Sequence, residues 1–407
     1  MRTPDENRYP PVRYPGVTRL LEEAVSNRVF PGCSYGVVLS GSEPWAEPVG
    51  RFTYEPDAAE VTADTVYDLA SLTKVLATTA AAMLLWERGR LPLDVPVVEL
   101  LPEFSVSDPH DALRSRVTVR MLLDHSSGLP GYVRLFECVS GGHAMIEACL
   151  HQPLTADPGT RAEYSDLGFI LLGHLLEQIS GEPLDRFCAR EIFAPLGMRS
   201  TEFSPLAHKS HMIPPTEDDH TFRHRVIQGE VHDENASVMG GVAGHAGLFS
   251  DAVDPLRLAA CVLGEGKTPE GNRLFAAETL SLFSRRGEQP AGTSRALGWD
   301  TPSSPSSSGS LFSSRSIGHL GFTGTSLWID LDAGVAVTLL TNRTWPDRSN
   351  QGIRALRPRF HDAVRDAIHR EFSASHSSGR TRRNGLTVTH LSNVVWQFHR
   401  GANSRAR

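Results

Sequence analysis

Ser71-Leu72-Thr73-Lys74 puts a hydroxyl and a primary amine three residues apart, inside the apolar stretch YDLASLTKVLATTAAAMLLWERG. On a helix these two positions share a face, one turn apart. A serine at the helix start also sits near the positive end of the dipole, where a developing alkoxide is stabilised. The chain has 40 basic residues, and only Lys74, Lys209 and Lys267 are lysine. Arginine keeps its proton under all ordinary conditions, whereas a buried amine can lose one. A lysine among Val75, Leu76, Ala80 and Met83 is therefore expected to be desolvated, with its pKa lowered toward that of a useful base. The chemistry this implies is nucleophilic acyl transfer by Ser71 with Lys74 beside it.

A second serine pattern points elsewhere. Gly32-Cys33-Ser34-Tyr35-Gly36 matches the G-x-S-x-G nucleophile elbow, which needs a strand before the serine and a helix after it. Here the pattern runs from helix to turn to strand, so Ser34 is read as a sheet residue, with an α/β-hydrolase as the rival reading. The cluster His232, Asp233, Glu234 and His245 invites a metal reading. Its spacing fits no common zinc pattern and glycines crowd its second half, so no metal is expected. No cofactor is implied either.

The elements that must hold these residues can be traced along the chain. Residues 16–29 have helical periodicity, PGCSYGVVLSG turns into a strand, and WAEPVGRFTYE reads as its hairpin partner. From about Leu72 to Arg199 the pattern is mostly helical. Residues 205–250 carry little regular pattern. A helix near Asp254–Gly264 follows, then RALGWD, GHLGFTGTSLWIDLD and VAVTLLTNR as three consecutive antiparallel strands, then a helix near Ile353–Phe372. The expected fold is α+β: one central antiparallel sheet built from both ends of the chain, flanked by helices, with an inserted all-helical subdomain. The expected division is a flexible segment 1–15, a single catalytic domain 16–372 and a disordered basic tail 373–407. The sheet region of that domain covers about 16–70 and 251–372, and the helical subdomain about 75–250. The serine-rich stretch Ser303–Ser316 is expected to be a disordered loop tip.

Composition narrows the function classes. A net charge of −7 over 407 residues argues against a nucleic-acid-binding body. The tail carries six arginines and no acid, leaving the body 34 basic against 47 acidic residues; it is read as a solvated end. No apolar run approaches the roughly 20 residues that span a bilayer. The N-terminal stretch has no apolar signal core, and five scattered cysteines without C-x-x-C suggest reduced thiols. The expected location is cytoplasmic, and the expected partner is a small-molecule or peptide substrate. The sequence leaves the oligomeric state open.

Five segments, in order, resemble the serine β-lactamase and penicillin-binding-protein superfamily, in particular its class C β-lactamase-like esterases and peptidases. They are the S-x-x-K, VTVRMLLDHSSGLPG, PGTRAEYSDLGFILLGHLLEQISGEPL, IFAPLGMRSTEF and GHLGFTGTSLWID. The resemblance runs from about Val17 to Phe372 and implies the β-lactamase/transpeptidase-like fold, with the site between sheet and helical subdomain. It implies that Tyr164, opening a Tyr-x-Asn element, relays the proton of Ser71. Here that element reads Tyr164-Ser165-Asp166, and a carboxylate at 166 should hold Lys74 charged and raise its pKa, shifting the base role to Tyr164. Asp166 is also a candidate cap of the next helix. The family's Lys-Thr-Gly strand is matched by His319-Leu320-Gly321, which loses both the fixed cation and the hydroxyl. The Phe322 N–H would join that of Ser71 in an oxyanion hole. Arg343 is a candidate anion contact, Ser126–Gly131 a loop over the site, His125 a structural residue, and Glu230–Ser250 a wall of the pocket.

The function this implies is a metal-free serine hydrolase acting through an acyl-enzyme. Small esters and cell-wall-derived peptides are the expected substrates, including the reactions of a muropeptide amidase, a D-aminopeptidase or a D-alanyl carboxypeptidase. β-Lactam hydrolysis and an inactive ligand-binding member are the remaining alternatives.

Overall fold

The computed structural model describes residues 13–105, 112–205 and 207–377. The expected flexible segment before residue 13 and the basic tail from residue 378 lie outside the described residues. Five antiparallel strands form the main sheet: β1 (Gly32–Leu39), β2 (Trp45–Gly50), β3 (Ile317–Leu320), β4 (Ser326–Asp330) and β5 (Val335–Thr341), in the order β2-β1-β5-β4-β3. Residues from both ends of the chain thus share one sheet, β1 lying directly against β5.

Alternation along the strands sends side chains to two separate apolar layers. Cys33, Tyr35 and Val37 of β1, with Val335, Val337 and Leu339 of β5, face the helices α1 (Pro15–Ser26) and, at the other end of the chain, Gly352–Ser377. That last helix contributes Ile353, Leu356, Phe360, Val364 and Ile368, a spacing that keeps one stripe on the sheet. The opposite face, with Val38, Leu327, Ile329, Ala336 and Leu340, joins the larger core shared with the helical region. At the centre of that region Asp166–Ser180 is buried continuously from Leu167 to Gly173.

Three expectations about strands and loops need correction. RALGWD forms no strand; Arg295 and Asp300 bridge each other, and Asp300 bridges Gly318. GHLGFTGTSLWID is two strands, β3 and β4, with a turn at Gly321–Thr325 between them. Ser303–Ser316 is not a disordered tip. The N–H groups of Ser310 and Leu311 donate to Asp362 Oδ1, that of Ser313 donates to Asp330 Oδ2, and Ser308 and Ser316 are fully buried. Carboxylates from neighbouring elements satisfy this polar stretch, which composition alone cannot reveal. Among the described residues no helix is long and apolar enough to cross a membrane.

Candidate active site

Ser71 lies on a 3-10 turn, Ala70–Leu72, and Lys74 opens a π-helical turn, Lys74–Thr79, that runs into the α-helix Ala80–Glu87. Such wide turns are frequent at functional sites because they rotate side chains out of the regular helical register. Ala70 takes φ +47, the left-handed region that strains a residue with a Cβ. Asp68 holds this turn from both sides: its Oδ1 accepts from Ala70 N–H at 2.8 Å and its Oδ2 from His232 N–H at 2.6 Å.

Lys74 is fully buried, and its Nζ uses all three donors: to Ser71 Oγ at 3.0 Å, Asp166 Oδ1 at 2.7 Å and the His245 carbonyl at 3.0 Å. Burial alone would lower its pKa, but Asp166 and then Tyr164 outweigh it, and the pKa is raised. The lowering expected from an apolar setting is therefore overturned by the carboxylate, as the Asp166 argument anticipated. Tyr164 is also raised, by burial first, with Lys74 opposing. The resting site holds an ammonium bonded to Ser71 and Asp166, with the Tyr164 ring centroid 4.9 Å from it.

The helical wall is fixed by the loop before it. His125 Nδ1 accepts from Ser165 N–H at 3.0 Å, and the His125 ring lies 4.7 Å from that of Tyr164. Ser165 Oγ donates to the Pro130 carbonyl at 2.8 Å and accepts from Gly168 N–H at 3.1 Å. Ser165, not Asp166, is thus the helix cap, which frees the Asp166 carboxylate for Lys74. Gly244 brings the opposite segment in close: a Cβ there would fall 2.1 Å from the Phe169 carbonyl. This approach lets the next carbonyl, that of His245, reach Lys74.

The sheet wall begins at His319, whose ring centroid is 5.8 Å from that of Tyr164. His319 Nδ1 lies 2.8 Å from the Leu320 carbonyl, an acceptor, so Nδ1 carries the proton and Nε2 the lone pair. Burial, then Lys74 and Arg295, push its pKa well below the usual value. A neutral ring therefore stands where the family pattern has a cation. Gly321 approaches the turn that carries Ser71 so closely that a Cβ would sit 1.9 Å from Thr325 Oγ1 and 2.5 Å from the Leu69 carbonyl. Thr323 and Thr325 hydroxyls donate to the Asp68 and Leu69 carbonyls at 2.8 and 3.0 Å, tying the two turns together.

Ser71, Tyr164, Asp166, His319, Gly321, Phe322 and Arg343 all line one cleft of about 660 Å³. Arg343 is only 4% exposed and is occupied differently from the expectation. Its Nε donates to the Phe322 carbonyl at 2.7 Å, and its Nη1 to the Arg348 and Asn350 carbonyls at 2.8 Å each. It props the Phe322 turn. Sequence reasoning missed Tyr132, Arg295, Arg348 and Arg357, which line the same cleft; no motif spacing marks them. The suspected metal cluster falls into two pairs, His232 with Glu217 at 3.0 Å and His245 with Asp233 at 2.9 Å. Arg348 bridges Glu217 and Glu234. Ser34 is buried within β1, paired between β2 and β5, with no helix following it.

The family model described as "Beta-lactamase" matches residues 17–358. The chain belongs to the β-lactamase family. It is 33% identical, over 81% of its length and 79% of the relative's, to a protein of Escherichia coli O157:H7 named provisionally as a D-alanyl-D-alanine carboxypeptidase. It is 35% identical, over 70% of its length and 69% of the relative's, to the N-acetylmuramyl-L-alanine amidase of Bacillus subtilis (strain 168). The crystal structure of a penicillin-binding protein homologue from Caulobacter crescentus superposes with a TM-score of 0.68 at 18% identity, covering 88% of this chain and 98% of the other. That likeness establishes the β-lactamase/transpeptidase fold. The β-lactamase-family chain described here is a serine hydrolase.

Proposed function

We propose that this serine hydrolase cleaves amide bonds beside alanine in cell-wall-derived peptides, through an acyl ester on Ser71. The observation that carries the chemistry is the 3.0 Å contact between Lys74 Nζ and Ser71 Oγ, with Asp166 closing on the same ammonium. Ser71 Oγ bonds to the substrate carbonyl carbon while its proton passes into the Tyr164–Lys74 group. The N–H groups of Ser71 and Phe322 receive the carbonyl oxygen as it becomes an oxyanion. Collapse breaks the C–N bond, and the leaving amine takes the proton from Tyr164. Water then adds to the acyl ester, loses a proton to the same group and releases the acid and the free serine.

With Lys74 held as an ammonium and Tyr164 as a phenol, Tyr164 takes the Ser71 proton as its own passes by way of Lys74 to the Asp166 carboxylate, and the same relay runs in reverse when the leaving amine is protonated. His319, Gly321 and Arg343 are read as substrate-side residues of different kinds: a neutral hydrogen-bond acceptor, a close-approach position and a prop for the turn.

For the substrate, the names of the two relatives share an amide next to an alanine. The cleft is lined by both signs of charge, Arg295, Arg348 and Arg354 together with Asp233 and Glu234, which suits a peptide better than a small neutral ester. We place the reaction in the cytoplasm on the strength of the five cysteines, all free and four of them buried. The residues 16–372 are read as one catalytic domain.

The test is mass spectrometry of a soluble muropeptide digest incubated with wild type and with Ser71→Ala. Loss of one alanine only with wild type identifies a carboxypeptidase, and loss of the whole peptide an amidase. No change with either protein, alongside Ser71-dependent turnover of p-nitrophenyl acetate, would replace this substrate reading with small-ester hydrolysis, the reading that the neutral His319 favours.

A further inference from the structure

Arg357 is 7% exposed, lines the cleft and has a buried Nε with no hydrogen-bond partner. The charged groups acting on it are Arg343 and Arg354, both repulsive, and burial together with them pushes its pKa down to about 9. A guanidinium buried without a carboxylate is costly. What it does touch is backbone: its Nη2 donates to the Gly321 carbonyl at 2.7 Å and the Thr325 carbonyl at 2.8 Å.

The Gly321 carbonyl and the Phe322 N–H belong to the same peptide group. In a trans peptide the two point in opposite directions. We propose that Arg357 is a positioning residue for the reaction, polarising the Gly321–Phe322 peptide so that its N–H becomes a stronger and better aimed oxyanion donor. This rests on the reading above that the Phe322 N–H receives the oxyanion.

The physical case has three parts. A cationic donor on a carbonyl draws electron density through the amide, and hydrogen bonds in series strengthen one another. The plane of the peptide is fixed from both ends, because the Gly321 N–H donates to Thr325 O at 2.8 Å and Arg343 Nε holds the following carbonyl, that of Phe322, at 2.7 Å. The support is also stiff: Arg357 sits on the helix Gly352–Ser377 between Leu356 and Phe360, both seated in the core under the sheet. Preorganised dipoles of this kind act where charge develops in the transition state and do little for ground-state binding. The charge that looks unpaired at rest is therefore used only when the oxyanion forms.

The experiment compares wild type, Arg357→Met and Arg357→Lys, each checked for a wild-type near-ultraviolet dichroism spectrum, on ¹³C-carbonyl-labelled p-nitrophenyl acetate. The expected result is a fall in kcat of about 10-fold or more for Arg357→Met with KM little changed, and a smaller fall for Arg357→Lys, which keeps a cationic donor. Infrared spectra of the acyl-enzyme should show the ester carbonyl band at higher frequency in Arg357→Met than in wild type, reporting a weaker oxyanion hole. If Arg357→Met does not fold, the comparison of wild type with Arg357→Lys decides. A Ser71 acyl ester with the same carbonyl frequency in folded variant and wild type overturns the inference and leaves the acyl-enzyme reading standing. A rise in KM alone also overturns it. Absence of any acyl ester on Ser71 in wild type would remove that reading and this inference with it.

Discussion

The two walls of the cleft are built on opposite terms. On the helical wall, the reacting side chains hold one another, with backbone contacts from Lys74, His125 and Ser165 beside them: Asp166 and Lys74 meet at 2.7 Å, and Lys74 and Ser71 at 3.0 Å. On the sheet wall, side chains hold backbone: Arg343 and Arg357 spend their donors on the carbonyls of the Gly321–Thr325 turn and its neighbours. In the proposed reaction the first wall moves protons and the second presents an N–H. A proton-handling group needs shifted pKa values, so it gathers charges around a buried amine. An oxyanion donor needs only a fixed direction, so it gathers anchors.

This contrast can be broken at either wall. The largest effect is expected from Ser71→Ala, which should cut turnover by at least about 10³-fold, measured on p-nitrophenyl acetate and on any active muropeptide. Tyr164→Phe should follow, lowering kcat by roughly 10²-fold or more with a smaller change in KM, because it removes a proton carrier and leaves the cleft shape intact. Asp166→Asn sharpens the argument through pH. The carboxylate raises the Lys74 pKa; removing it lets the amine lose its proton at lower pH. The rising limb of kcat/KM against pH should therefore move to lower pH in Asp166→Asn, and a limb that stays in place would show that Lys74 does not share in that titration. The smallest effect belongs to the sheet wall's packing. Gly321→Ala must push apart Thr325 and Leu69, costing about 1–3 kcal/mol of stability by thermal or denaturant unfolding, with a smaller fall in activity in the folded fraction than Tyr164→Phe gives.

The same contrast explains what was legible in the sequence. Ser71, Lys74, Tyr164 and Asp166 could be read because side-chain chemistry at short spacing leaves a pattern, and the family's motifs are made of it. The sheet from both chain termini was legible through alternation, since Tyr35 and Val37 on β1 face one layer and Val38 the other. Arg357 was not legible, because its partners are backbone carbonyls 32 and 36 residues away, and every residue type offers a carbonyl. Arg343 was seen, but the backbone carbonyls that hold it were not, for the same reason. Asp166 was offered as a helix cap, and Ser165 took that place because its shorter side chain accepts from Gly168 while its own N–H is held by His125. Ser303–Ser316 looked disordered because its order comes from Asp330 and Asp362, which the local composition does not contain.

The most direct test of the account is intact-protein mass spectrometry on samples quenched in acid within milliseconds to seconds of mixing with p-nitrophenyl acetate. The account predicts one added acetyl group on wild type, mapped by peptide digestion to the segment carrying Ser71 and absent from Ser71→Ala. An acetyl group mapped to another residue, or turnover that persists in Ser71→Ala, would contradict it.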